Sequence, residues 1–205
     1  MSIVGFHKVK AKGVCDYFTK KQAIAAYLAE PDTIASTFGS EAIMQALGIE
    51  PTTTLDAPTL RRIMDGKNEQ GKFLLKDQGK NQEHNPGWMF VLTDGKELST
   101  AWALADPNSD FIKAYDEARD QAMRAVFTSI EQLATPKNAR RKKEPMQMLF
   151  NVFEHNEARD AGNGPDPQRH RHVFAANLGS YPDGTLGAIE SGEIFEAVRS
   201  QSKRT

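Results

Sequence analysis

The segment from residue 109 to residue 134 constrains the fold more than any other part of the chain. Phe111, Tyr115, Ala118, Ala122, Val126, Ile130 and Leu133 recur every three or four residues, so the spacing predicts one long helix with a single buried stripe. Such a helix has to bury that stripe against another layer. Strands to build the layer are at hand. "GWMFVLT", residues 87–93, is a near-continuous apolar run suited to a buried central strand. "SIVGFHKV", residues 2–9, partly alternates, and residues 146–155 and 169–178 read as two further strands joined by a loop. "GTLGAI" is a candidate short strand after them. Further helices are expected over 15–29, 39–48, 56–66, "KELSTAWALA" and a closing "SGEIFEAVRS", with Gly48 and Gly66 ending two of them. In the first of these, Tyr17, Ile24 and Leu28 share a face. Residues 67–86 are polar and broken, a loop. The pattern is α+β: a mainly antiparallel sheet with helices packed on it, in one domain of 205 residues.

Composition narrows the partners. The net charge is −1, which gives no overall pull toward nucleic acid or a membrane surface, so any such affinity has to come from a local patch. No window approaches a transmembrane length, and "MSIVGFHKVK" lacks the apolar core of a signal peptide. A single cysteine, Cys15, excludes an intramolecular disulfide and a cysteine-rich zinc site, and a cytoplasmic setting is expected.

Histidine is scarce, five in the chain, yet two stand one residue apart in "DPQRHRHVFAAN". Side chains at i and i+2 of a strand leave the same face, so His170 and His172 point together, roughly 7 Å apart at the backbone. His155 lies near the end of the preceding strand, and the loop of about a dozen residues can bring it opposite the pair. Three imidazoles converging from neighbouring strands would form a half-shell for a divalent metal, with positions left open for water or substrate. The alternative is a pair of polar residues on an exposed edge strand.

Here the residues resemble a family. "FNVFEHNEARDAGNGPDPQRHRHVFAANLGSYPDGTLGAIESGEIF" is similar to the third motif of the TraI/TrwC-type (MobF) conjugative relaxases, which are HUH-class single-strand DNA endonucleases. Phe153, His155, Arg159, Pro167, Gln168, His170, His172 and Asn177 match it. "NPGWMFVLTDGKELS" resembles the family's segment beginning P-G-[YF]-D, "GVCDYFTKKQA" its tyrosine-bearing N-terminal helix, and "FGSEAIMQALGIEPTTTLDAPTLRRIMDG" the stretch between. The similarity spans nearly the whole chain, whereas the family's domain runs on further at its C-terminus. The resemblance implies a two-layer sandwich and metal-dependent nicking and rejoining of single-stranded DNA in conjugative transfer. Tyr17 would attack a phosphodiester, leaving a 5′-phosphotyrosine and a free 3′-OH. His155, His170 and His172 would hold the ion, magnesium or manganese first and zinc as the alternative. Gln168, Asn177 and Arg159 would support them, and a helicase or other transfer proteins would be further partners.

The pattern is not complete. The second tyrosine of the family's first pair is Phe18, Tyr27 is out of step with the second pair, and the aspartate after P-G-[YF] falls on Met89. Asp16, Glu83 and Asp94 are candidates for the missing carboxylate. For DNA contact the candidates are Lys96 and the run Lys137, Arg140, Arg141, Lys142 and Lys143, with Phe73 and Trp88 for base stacking and Phe90 and Trp102 assigned to the core. Two further readings stand beside the nicking enzyme. One is a binding module weakened at Met89. The other is a metallohydrolase unrelated to DNA, whose usual (β/α)₈ barrel needs a longer chain.

Overall fold

A computed structural model describes residues 2–9, 34–51, 55, 57–75, 85–138, 140, 142–158, 162, 164 and 166–202. The expected helix over 15–29 lies outside them. Five strands form the main sheet in the order β1-β3-β6-β5-β2, every neighbouring pair antiparallel. They are β1 (Ser2–Val9), β2 (Ile34–Gly39), β3 (Gly87–Thr93), β5 (Leu149–Glu157) and β6 (Pro167–Ala176). β6 is the middle strand. Two small two-stranded pairings, β4 (Thr135–Pro136) with β9 (Ile189–Glu190) and β7 (Gly179–Ser180) with β8 (Leu186–Gly187), trim one end. The described helices are α1 (Glu41–Leu47), α2 (Ala57–Met64), α3 (Lys96–Leu104), α4 (Asp110–Leu133) and α5 (Gly192–Ser202).

Alternation along the strands divides the core in two. Trp88, Phe90, Leu92, Phe150, Val152, Val173 and Ala175 meet Met123, Phe127 and Ile130 of α4 and Ile194 of α5. Phe127 lies flat on Phe150, centroids 4.1 Å apart. On the other face, Leu149, Phe153, Phe174 and Ala176 meet Ile43, Met44 and Leu47 of α1 and Leu60 and Ile63 of α2. The α+β class is the one expected, but helices cover both faces: α4 lies along one, and the short α1 and α2 cap part of the other.

Local chemistry sets these elements. α4 starts at Ser109, whose hydroxyl accepts from the Ile112 amide. α1 starts at Ser40 and ends at Gly48, whose φ of 67° is left-handed. Gly39 turns the chain from β2 into α1 at φ 116°, and a Cβ there would lie 2.0 Å from the Met148 carbonyl oxygen. The stripe on α4 differs from the one the spacing predicts. Tyr115, Arg119, Met123, Phe127 and Ile130 are buried, while Phe111 and Ala118 are exposed. The helix is turned by about one residue so that Arg119, not an alanine, enters the interior. β2 is an added strand in a stretch with little apolar alternation.

A candidate metal centre on the β5–β6 hairpin

β5 and β6 pair so that His155 stands directly opposite His170 and Phe153 opposite His172. All three imidazoles therefore leave the same face, the one α1 and α2 partly cover. Their ring centroids are 5.3 Å (His155–His170), 5.1 Å (His155–His172) and 5.1 Å (His170–His172) apart. Rings bound to one ion at ordinary metal–nitrogen distances and near-tetrahedral angles would have centroids about 5 Å apart. The spacing is that of ligands. The orientation is not yet complete: His155 and His170 are within 19° of parallel. The two rings are stacked, and lone pairs lie in the ring plane, so they cannot meet at one ion until one turns about its side-chain bonds. Among the described residues no group of three or more His, Cys, Asp or Glu is arranged to hold a metal ion as it stands.

The protonation states suit ligation. Burial pushes the imidazoles of His155 and His172 down to about 4, and the neighbouring His170 adds to both shifts. Near neutral pH both are uncharged, as a ligand must be. His170 Nδ1 lies 2.9 Å from the Gln168 carbonyl oxygen. A ring that donates there keeps Nε2 as its lone-pair nitrogen. The Gln168 side chain in turn donates to Thr93 Oγ1 at 3.1 Å and to the Asp94 carbonyl at 3.0 Å, tying the start of β6 to the end of β3. The donor set of three imidazoles fits a divalent ion with open positions.

Alternate residues of the same strands face α4, and these are charged. Glu154, Arg169 and Arg171 meet Asp116, Arg119 and Asp120 of α4, together with Asp94 from the end of β3. Burial alone would raise the Glu154 carboxyl, but Arg119, Arg171 and Arg169 outweigh it and hold it below the usual carboxylate range. Asp94 accepts from Tyr115 Oη at 2.7 Å and pairs with Arg119, so it is committed to this face and does not stand in for the carboxylate missing at Met89. Burial and Asp94 push the Tyr115 phenol up to about 12. Sequence reasoning missed this layer. Its one local signal is the Arg-His-Arg-His run at 169–172, polar on both faces of a central strand.

Met89 is half-buried on the histidine face, packed against the α1–α2 cluster and opposite Phe174, while Val91 stands opposite His172. Lys96 binds the Pro167 carbonyl at 3.1 Å and Asp166 at 3.0 Å, clamping the loop before β6. Asn177 lies at the far end of β6, where its amide joins Asn85 O and the Ile189 amide, each at 3.0 Å. Lys137, Arg140, Lys142 and Lys143 are exposed. They precede the Leu149 end of β5, about 20 Å along the strand from His155. Trp88, expected as a stacking candidate, is 1 % exposed in the core, and Phe73 is 41 % exposed with Lys67 Nζ 4.9 Å from its ring centre. Trp102, assigned to the core, is half-buried under the Arg169 guanidinium at 4.4 Å. Tyr17, Tyr27, Phe18, Arg141, Arg159, Asp16 and Glu83 lie outside the described residues.

An antiparallel sheet with helices packed on its faces is the architecture shared with the solved relaxase structures. The chain belongs to the TrwC relaxase family, whose model matches residues 11–204. It is 25% identical over 158 residues to the multifunctional conjugation protein TraI of Escherichia coli, a match covering 77% of this chain and 8% of TraI. Among solved structures it is similar to the conjugative relaxase TrwC in complex with OriT DNA, metal-free, with TM-score 0.67, 20% identity, 97% of this chain and 64% of that one. The metal-bound TrwC–OriT complex gives TM-score 0.64 at 19% identity, covering 98% and 65%. The chain thus spans under two thirds of those TrwC chains and a small part of TraI. Among the described residues no helix is long and apolar enough to cross a membrane.

Proposed function

We propose that this chain nicks and rejoins single-stranded DNA, with a divalent ion held by His155, His170 and His172. The observation that carries the reading is the triangle of imidazoles, 5.1–5.3 Å on a side, within a chain of the TrwC relaxase family. The ion, when bound, offsets charge growing on the phosphoryl oxygens of the scissile phosphate. Three imidazole nitrogen donors suit zinc, cobalt or nickel better than magnesium.

Tyr17 is the proposed nucleophile. The chain has four tyrosines. Tyr115 and Tyr181 are both buried in the layer facing α4, on the other side of the sheet from the histidines, and Tyr115 is held protonated. That leaves Tyr17 and Tyr27, and Tyr17 matches the family's motif. Its phenol oxygen forms the new P–O bond, the P–O3′ bond breaks, and the 3′-oxygen leaves as a hydroxyl after taking a proton. The phenol proton passes to solvent or to a base. Reversal rejoins the strand.

Met89 favours a second reading, a DNA-binding module that does not cut. A thioether neither fixes an imidazole tautomer nor accepts the phenol proton. One experiment separates the two: incubate the protein with labelled oligonucleotides from an origin of transfer and Mn²⁺, Mg²⁺ or Zn²⁺, then run a denaturing gel. A covalent protein–DNA band that Tyr17→Phe abolishes, and that each of His155→Ala, His170→Ala and His172→Ala diminishes, supports the enzyme. Retention of oligonucleotide on a native gel with no covalent band supports the module. A band that survives Tyr17→Phe and vanishes in Tyr27→Phe moves the nucleophile.

A further inference from the structure

The nicking chemistry makes no use of the charged row behind the histidines, yet that row is the most heavily bonded part of the sheet. On β6, Arg169 and Arg171 alternate with His170 and His172, and on β5 Glu154 adjoins His155. Three guanidinium groups converge on the one Glu154 carboxylate. Arg119 Nη1 and Arg169 Nη2 reach Oε1, the latter at 2.6 Å, and Arg171 Nη2 reaches Oε2 at 3.3 Å. Each arginine also has a second carboxylate: the buried Asp94 for Arg119, and at the rim Asp116 for Arg169 and Asp120 for Arg171, the last at 2.6 Å. The arginine side chains are 3, 8 and 6 % exposed.

A buried ionic cluster is a poor source of stability, since apolar residues of the same volume often do as well or better. Its best-attested use is to specify register, and register matters acutely here. A slip of one residue between β5 and β6 would exchange the two rows, turning guanidinium groups toward the metal and imidazoles toward α4. We infer that Glu154 is a positioning residue for the metal-binding histidines. It fixes β5 against β6 in the one register that sets His155 opposite His170, and it anchors both strands to α4. The inference rests on the reading that these histidines hold an ion.

The test uses Co²⁺ as the probe, read both by titration and by its visible ligand-field spectrum, with urea unfolding of the metal-free protein alongside. Glu154→Gln leaves three guanidinium groups without their shared anion. It is expected to weaken Co²⁺ binding by about tenfold or more and to alter the spectrum, in the range seen when groups supporting metal ligands are changed. Glu154→Asp, which restores the charge, should recover most of both. Phe127→Leu is the control, a core change under the same helix and away from the histidines. It should lower stability while leaving affinity and spectrum unchanged. Should Glu154→Gln not fold, Asp120→Asn at the half-exposed rim removes one outer partner of Arg171 and is expected to weaken Co²⁺ a few-fold. Parent-like binding in Glu154→Gln, or in Asp120→Asn when the former does not fold, overturns the inference alone. So does an equal loss in Phe127→Leu, because affinity would then simply follow stability. A parent protein that binds no Co²⁺ overturns the metal reading, and the inference falls with it.

Discussion

By the resemblance of its segment, Met89 stands where the family's motif would carry an aspartate. It sits on the histidine face, opposite Phe174 and diagonal to His172 across the β3–β6 pair. Diagonal neighbours on one face lie about 7–8 Å apart at the backbone, a span that a carboxylate and an imidazole together can bridge. Met89→Asp is therefore expected to tighten metal binding by about tenfold and to raise covalent DNA attachment. The apolar packing around Met89 sets an opposing cost of a few kcal/mol for the metal-free protein. Melting with and without metal resolves the two effects: the variant should start lower and rise further than the parent. A lower start with no larger rise would mean that position 89 does not serve the site. The histidine triangle itself was legible in the sequence, because two rules sufficed: i and i+2 share a face, and a hairpin brings neighbouring strands together. The support for it was less so. Gln168 falls within the family's motif, but that its side chain grips the end of β3 depends on a pairing between segments some 75 positions apart. Nothing local announces that.

At the scale of elements, α4 shows where periodicity succeeds and where it misleads. Its bounds and amphipathic character follow from the spacing of apolar residues. Its rotation does not, because Arg119 is drawn inward by Glu154 and Asp94, partners remote in sequence. β2 carries no local signal for a related reason: it is an edge strand whose pairing comes wholly from β5. Two expectations belong to α4. Ser109→Ala removes the N-cap and should cost about 1 kcal/mol in urea unfolding. Glu131, near the C-terminal end, accepts from the Met148 amide at 2.8 Å, and burial raises its pKa although that hydrogen bond opposes the shift. A carboxyl whose folded pKa lies above its unfolded one stabilises the fold below the unfolded value and loses that contribution as pH rises through the folded value. Glu131→Gln keeps an acceptor for Met148 without the charge. It should melt with the parent in acid and above the parent at neutral pH. Equal melting temperatures at both pH values would show that the carboxylate is adequately solvated.

Across the whole molecule, the exposed basic run and the histidines occupy opposite ends of the sheet. Neutralising Arg140, Arg141, Lys142 and Lys143 should therefore weaken binding and flatten its salt dependence only for oligonucleotides long enough to reach about 20 Å beyond the scissile phosphate. Short substrates should be unaffected, and an unchanged slope of log K against log salt on long ones would assign the run to solvent. The hairpin that carries the imidazoles has a different consequence, one of timing. His155, His170 and His172 belong to strands adjacent in sequence, whereas β6 meets β3 across 77 positions at Thr93–His170 and 89 at Gly87–Ala176. Contacts of short separation close with the smaller loss of chain entropy and form sooner. An ion gripped by that hairpin would organise it before the distant strands arrive, so Zn²⁺ present from the start of refolding should quicken the refolding step itself. If the ion only slowed unfolding, the hairpin would have to be assembled last, after the longer-range pairings of the sheet.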